Sequence, residues 1–167
     1  MKRIKRRVLE ELKSWLSKAK RVVVAGVGNT IRMDDSVGVK LVQDLNGKVS
    51  EKVHLIECET VPESYIQHII EFKPTHVLLV DAAILGLKPG ECRFIKPDQL
   101  KAYPAISTHT LPLKIFCEYI EKATKAEVGL LLIEPKCTEF GEGLSPEVAK
   151  VEEEILNVLL EALHKLR

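Results

Sequence analysis

The chain alternates short β-branched runs with stretches whose apolar residues recur every three or four positions, and this alternation predicts its elements in order. Residues 3–20 carry Ile4, Val8, Leu9, Leu12, Trp15, Leu16 and Ala19 at helical spacing, with lysines and arginines between them. The unbroken run Val22 to Ala25 has the signature of a strand buried on both faces. It stops at Gly26-Val27-Gly28-Asn29, after which a helix is predicted over about 36–45, ending at the C-cap signal Asn46-Gly47. Further strands are predicted at Val53–Cys58, Val77–Val80 and Val128–Ile133, with a helix over about 63–72 closed by Pro74. Glu91–Ile95 follows the turn Leu85–Gly90 too closely for a crossover connection, which predicts a short edge strand paired antiparallel. Lys96–Ile106 reads as a loop. Thr110 or Leu111 then caps a helix with Pro112 in its first turn and Leu113, Ile115, Phe116, Tyr119, Ile120 and Ala123 as its apolar residues. In the last helix Ser145 is the N-cap, Pro146 the first helical residue, and Val148, Val151, Ile155, Val158, Leu159 and Leu163 the buried face. The order implies an α/β fold: three layers, a twisted, mostly parallel sheet of about five strands, helices on both faces and right-handed crossovers.

Composition narrows this picture. A length of 167 residues suits one domain over 1–167, with residues 1–20 as an added amino-terminal helix. The 46% hydrophobic content is enough for a core, and a net charge of +1 argues against a nucleic-acid partner. The apolar runs are too short to span a bilayer, and the basic amino terminus lacks the apolar stretch of a signal peptide, so a cytoplasmic protein without membrane contact is expected. Glu10 and Glu11 interrupt the basic cluster Lys2–Arg7, which reads as a solvated helix face. The four cysteines, Cys58, Cys92, Cys117 and Cys137, form no C-x-x-C pair and read as small buried hydrophobes, with Cys137 the most open to reaction. Scarce asparagine and glutamine beside plentiful lysine and glutamate lean toward heat adaptation.

The candidate chemistry gathers where strands end. In an open α/β sheet, ligands bind in the crevice at the carboxyl ends of the strands. Gly26-Val27-Gly28 invites a dinucleotide-binding reading, but the third glycine of that fingerprint is replaced by Ile31, and two carboxylates follow where phosphates would sit. Asp34 and Asp35 suit a helix amino terminus. One is expected to cap it, which leaves the other to face the crevice. Asp81 ends an apolar strand, and His109 precedes a helix between two threonines; His54, His68, His76 and His164 sit in ordinary contexts. Asp35, Asp81 and His109 therefore fall on three loops at one edge of the sheet, a mixed oxygen and nitrogen set that suits a divalent transition metal with open positions. No Ser-His-Asp order, G-x-S-x-G elbow or H-E-x-x-H helix is present.

Three blocks, GVGNTIRMDDSVG, LLVDAAILGLKPGE and STHTLPL, together resemble the maturation endopeptidases of nickel–iron hydrogenases, in the family's order and spacing from Arg21 onward. The likeness is strongest to the branch that processes the large subunit of formate-hydrogenlyase-type hydrogenase 3. It implies a twisted five-stranded sheet and an aspartic-type or metal-dependent endopeptidase. Such an enzyme removes the carboxyl-terminal extension of the hydrogenase large-subunit precursor after nickel insertion. It further implies that Asp35, Asp81 and His109 contact nickel carried by the precursor, so that nickel is recognised rather than permanently bound. Gly26, Gly28, Asn29 and Asp34 match the motif and are expected to line the substrate path. Glu57-Cys58-Glu59-Thr60-Val61-Pro62-Glu63 stands where relatives are small and glycine-rich, which bears on substrate choice. The amino-terminal helix extends the minimal pattern and is expected to cover the sheet rather than dock a partner; the pattern is compatible with a monomer. Two alternatives use the same crevice: a non-catalytic nickel-delivery or precursor-binding chaperone, and a dinucleotide-binding module.

Overall fold

The structure, a computed structural model, describes residues 2–103 and 113–166. His109 and the expected caps Thr110, Leu111 and Pro112 lie outside the described residues. In chain order the elements are α1 (Lys2–Leu16), β1 (Val22–Val27), α2 (Val37–Leu45), β2 (Val53–Glu59), α3 (Ile66–Phe72), β3 (His76–Ala82), β4 (Cys92–Ile95), α4 (Leu113–Thr124), β5 (Glu127–Ile133) and α5 (Pro146–Leu163). The strands form one sheet in the order β2-β1-β3-β5-β4. β1 pairs parallel with β2 and β3, and β3 with β5, whereas β4 runs antiparallel to β5, with Cys92 opposite Ile133. The predicted α/β architecture and the antiparallel edge strand are both present.

Strand residues alternate between two apolar layers. Val22, Val24, Leu78, Val80, Leu131 and Ile133 pack under α1, α2 and α5. Val23, Ala25, Val77, Leu79, Leu130 and Leu132 pack under α3 and α4. Burial on both faces is why β1 and β3 read as unbroken apolar runs rather than as alternating ones.

Several boundaries differ from expectation. The first helix ends at Leu16 rather than near residue 20, and β1 continues through Gly26 and Val27. The stretch after β2 starts as a 3₁₀ turn, Pro62–Tyr65, and α3 closes on Lys73 in the left-handed conformation (φ 54°), one residue before Pro74. Lys96–Ile106 is not wholly a loop: Pro97–Ala102 form a 3₁₀ helix that buries Leu100. On α4 the buried stripe is Leu113, Phe116, Cys117 and Ile120, whereas Ile115 and Tyr119, a separate pair four residues apart, face outward. The amino-terminal helix is a cover. Leu12 and Leu16 are wholly buried, Trp15 packs edge-on to His76 and against Phe94, and Lys5 and Lys13 pair with Glu154 and Glu161 of α5.

Candidate active site

A crevice of about 200 Å³ opens at the carboxyl ends of β1 and β3. Asn29, Arg32 and Asp35 line it on the side of the loop after β1, with Thr60, Ala82, Ala83, Ile84, Pro135 and Thr138 around the remainder. The loop after β1 reaches this place because its backbone is packed without side chains in between. A Cβ on Gly26 would lie 2.2 Å from the Gly38 carbonyl oxygen, and one on Gly28 (φ 149°) would lie 1.8 Å from that of Asp35. A Cβ on Gly38 would in turn lie 2.1 Å from the Val80 carbonyl oxygen. The start of α2 is thereby seated on the end of β3, beside Asp81. Gly26 and Gly28, expected along the substrate path, instead make room for this contact, since backbone fills the space a side chain would need.

The two adjacent aspartates divide their work in an unexpected way. Neither caps α2: its N-cap is Ser36, without a side-chain cap hydrogen bond, and both aspartates lie in the 3₁₀ turn Met33–Ser36 ahead of it. The Asp34 carboxylate is wholly buried. It accepts hydrogen bonds from the backbone N–H groups of Lys136 (2.8 Å), Cys137 (3.0 Å) and Ser145 (2.7 Å) and from the Ser145 hydroxyl (2.8 Å). It is therefore a strut between the opening motif and the loop before α5, not a group facing substrate. Ser145 does occupy the N-cap of α5, with Pro146 next, but its hydroxyl is directed to Asp34 rather than to the helix. Backbone contacts extend the same seam: Asp34 N–H donates to Cys137 O (3.0 Å), Met33 N–H to Gly141 O (3.1 Å) and Gly141 N–H to Ile31 O (3.0 Å).

Asp35 turns the other way and lines the crevice. Its Oδ2 accepts the Asn29 N–H (2.9 Å), while the Asn29 side-chain oxygen accepts the Ile31 N–H (3.1 Å) and holds the turn. A phosphate on this glycine loop would need the amide that Asp35 already occupies, which weighs against the dinucleotide reading.

Asp81 lies in β3 at its carboxyl end, 2% exposed. It shares a neighbourhood with Cys58 and Glu63: burial, then the charges of Glu63 and Asp81, push the Cys58 thiol up to about 12. A further buried carboxylate, Glu134, holds the loop after β3, accepting the N–H groups of Leu85 (3.0 Å) and Leu87 (2.7 Å) on Oε1. Sequence reasoning passed over Glu134, although it follows an apolar strand directly, the same signal that singles out Asp81. Among the described residues no group of three or more metal-type ligands assembles. Asp35 and Asp81 are brought to one edge of the sheet, and the third expected member, His109, lies outside the described residues.

Comparison with known proteins gives a concordant result. A family model described as hydrogenase maturation protease matches residues 39–162, a span that includes Asp81 and His109 and begins just after Asp35. The chain is 35% identical over 166 residues to a candidate hydrogenase maturation protease of Methanocaldococcus jannaschii, covering 95% of this chain and 97% of that one. It is 34% identical over 118 residues to the hydrogenase 3 maturation protease of Escherichia coli, covering 71% of this chain and 75% of that one. Its fold superimposes on the crystal structure of a NiFe hydrogenase maturation protease from Thermococcus kodakarensis with a TM-score of 0.85 at 34% identity, over 92% of this chain and 99% of that one.

Proposed function

The chain belongs to the hydrogenase maturation protease family, and from that premise we propose that it removes the carboxyl-terminal extension of a nickel–iron hydrogenase large-subunit precursor once nickel is in place. The substrate tail enters the crevice past Asn29, and Asp35, Asp81 and His109 add oxygen and nitrogen ligands to nickel that the precursor already holds. The reading is supported most by one observation: Asp35, in the turn after β1, and Asp81, at the end of β3, reach the same edge of the sheet, where β1 and β3 pair directly and a crevice opens. His109 is assigned by the block that carries it and precedes α4 in the chain.

In this mechanism nickel acts as a check. Without it the scissile bond is not held against the carboxylates. With it, orientation of the reacting groups supplies up to ~7–11 kcal/mol of the barrier. Water then attacks the scissile carbonyl, polarised by the metal or deprotonated by a carboxylate, and the departing amine takes up a proton. The enzyme acts on the cytoplasmic precursor and needs no resident metal of its own. Among the described residues no helix is long and apolar enough to cross a membrane.

The test is trimming of nickel-loaded precursor by Asp35→Ala, Asp81→Ala and His109→Ala, each checked for folding by thermal denaturation. Folded variants that leave the precursor at full mass are expected. Trimming at the wild-type rate by any one of them would remove that residue from the site. A wild type that forms a complex with precursor of unchanged mass would point to a chaperone instead.

A further inference from the structure

The crevice is bordered by apolar side chains that the core does not use. Among the described residues the exposed large hydrophobics are Ile31, Val61, Ile84, Ile115, Tyr119 and Phe140. Four of these flank the crevice: Ile84 lines it, and Ile31 and Val61 adjoin the lining residues Arg32 and Thr60. Phe140 stands beneath the Arg32 guanidinium, 5.7 Å from ring centroid to Cζ. Phe140 is 80% exposed, Ile84 53% and Ile31 52%, on a chain in which 29% of residues are charged. Solvated surface gains nothing from such side chains, so their gathering at one mouth marks a binding surface.

The mounting of these residues strengthens the case. Ile31 and Phe140 sit on two loops joined by the Ile31–Gly141 and Met33–Gly141 backbone hydrogen bonds, the Arg32–Gly141 bridge, and the Arg32 Nε donation to Thr138 O at 2.9 Å. Ile84 stands at the start of the loop that Glu134 holds by Leu85 and Leu87. Two braced loop regions thus present apolar side chains beside the crevice that Asp35 lines. A preformed rim of this kind binds without first having to be ordered.

We propose that this collar docks the extended precursor segment on both sides of the scissile bond, through apolar side chains of that segment and independently of nickel. The occupant follows from continuity: a polypeptide that reaches Asp35 must cross the rim. The inference rests on the peptidase reading above. It divides recognition in two, with the collar supplying affinity and Asp35, Asp81 and His109 supplying the nickel check.

The test compares Phe140→Ser and Ile31→Ser with Tyr119→Ser, an exposed control on α4 outside the crevice. Binding to nickel-free precursor is measured by titration and trimming of nickel-loaded precursor by steady-state kinetics. Each collar variant is expected to weaken binding and raise KM by about tenfold with kcat within twofold, while Tyr119→Ser matches wild type. Unchanged affinity and KM in both collar variants would overturn the proposal, as would an equal loss in Tyr119→Ser. A wild type that binds the precursor through the collar without cutting would leave the collar and remove the peptidase. A wild type that neither binds nor cuts would remove both.

Discussion

Replacement of Asp34 offers the sharpest structural prediction, because its carboxylate joins segments more than a hundred residues apart. Asp34→Ala would leave three backbone N–H groups and one hydroxyl without their acceptor. Each buried donor so stranded costs about 1–3 kcal/mol, roughly 4–12 kcal/mol if nothing relaxed. Two effects reduce that sum: the buried charge and its own desolvation cost leave together, and the Ser145 hydroxyl can rotate to another acceptor. A net loss of about 3–5 kcal/mol is expected, a large part of the stability of an ordinary domain. Asp34→Asn keeps an acceptor for the three donors on Oδ2 but sets an amide N–H₂ against the Ser145 N–H, for about 1.5–3 kcal/mol. Ser145→Ala removes one contact of the four and should cost about 1 kcal/mol. Urea unfolding reads these as falls in midpoint at constant slope, in the order Asp34→Ala, Asp34→Asn, Ser145→Ala. An Asp34→Ala protein within about 1 kcal/mol of wild type, or a Ser145→Ala protein as damaged as Asp34→Ala, would refute the strut.

Two further predictions come from buried titratable groups. Burial and a hydrogen bond with Asp44 raise Glu152, on α5, to about 7, whereas hydrogen bonds from Lys40 and Glu152 outweigh burial and hold Asp44 low. The folded state therefore keeps a Glu152 proton that the unfolded chain releases near pH 4.5, so this group lowers stability progressively as pH rises from about 4.5 to 7. Glu152→Gln should match wild type in melting temperature near pH 5 and exceed it by about 2–6 °C at pH 8; equal curves at both pH values would contradict the shared proton. Burial pushes the thiols of Cys58, Cys92 and Cys117 up to about 12, 11 and 12, while Cys137 is partly exposed in its loop. Brief alkylation of the folded protein, followed by mass mapping, should label Cys137 first; early labelling of Cys58 or Cys117 would show that the second apolar layer opens.

Much of this architecture was legible because its signals are local. The apolar runs of β1 and β3, the short turn before β4, and Pro146 after Ser145 each announce an element within a few residues. Asp35 and Asp81 could be placed at one edge because parallel strands share a carboxyl end. The strut was not legible, because Asp34 finds its partners at Lys136, Cys137 and Ser145, and nothing near Asp34 in sequence records them. A helix-start reading is locally sound for both: Ser145 does stand at the N-cap of α5, but the long-range bond takes its hydroxyl to Asp34, which caps no helix. The glycines depend on distant partners in a related way. Gly26 and Gly28 match a motif by sequence, but what requires a glycine at each is the backbone of Gly38 and Asp35 packed where a side chain would stand. The facing of Ile115 and Tyr119 depends on where α4 rests, which helical spacing alone does not fix.

The proposed check stands or falls on nickel dependence. Purified precursor, prepared with and without nickel, is incubated with the enzyme and weighed intact by mass spectrometry. The carboxyl-terminal tail is expected to be lost from the nickel-loaded precursor, with an unchanged mass for the nickel-free one. Equal trimming of both would contradict it, since Asp35, Asp81 and His109 would then not be reading a metal.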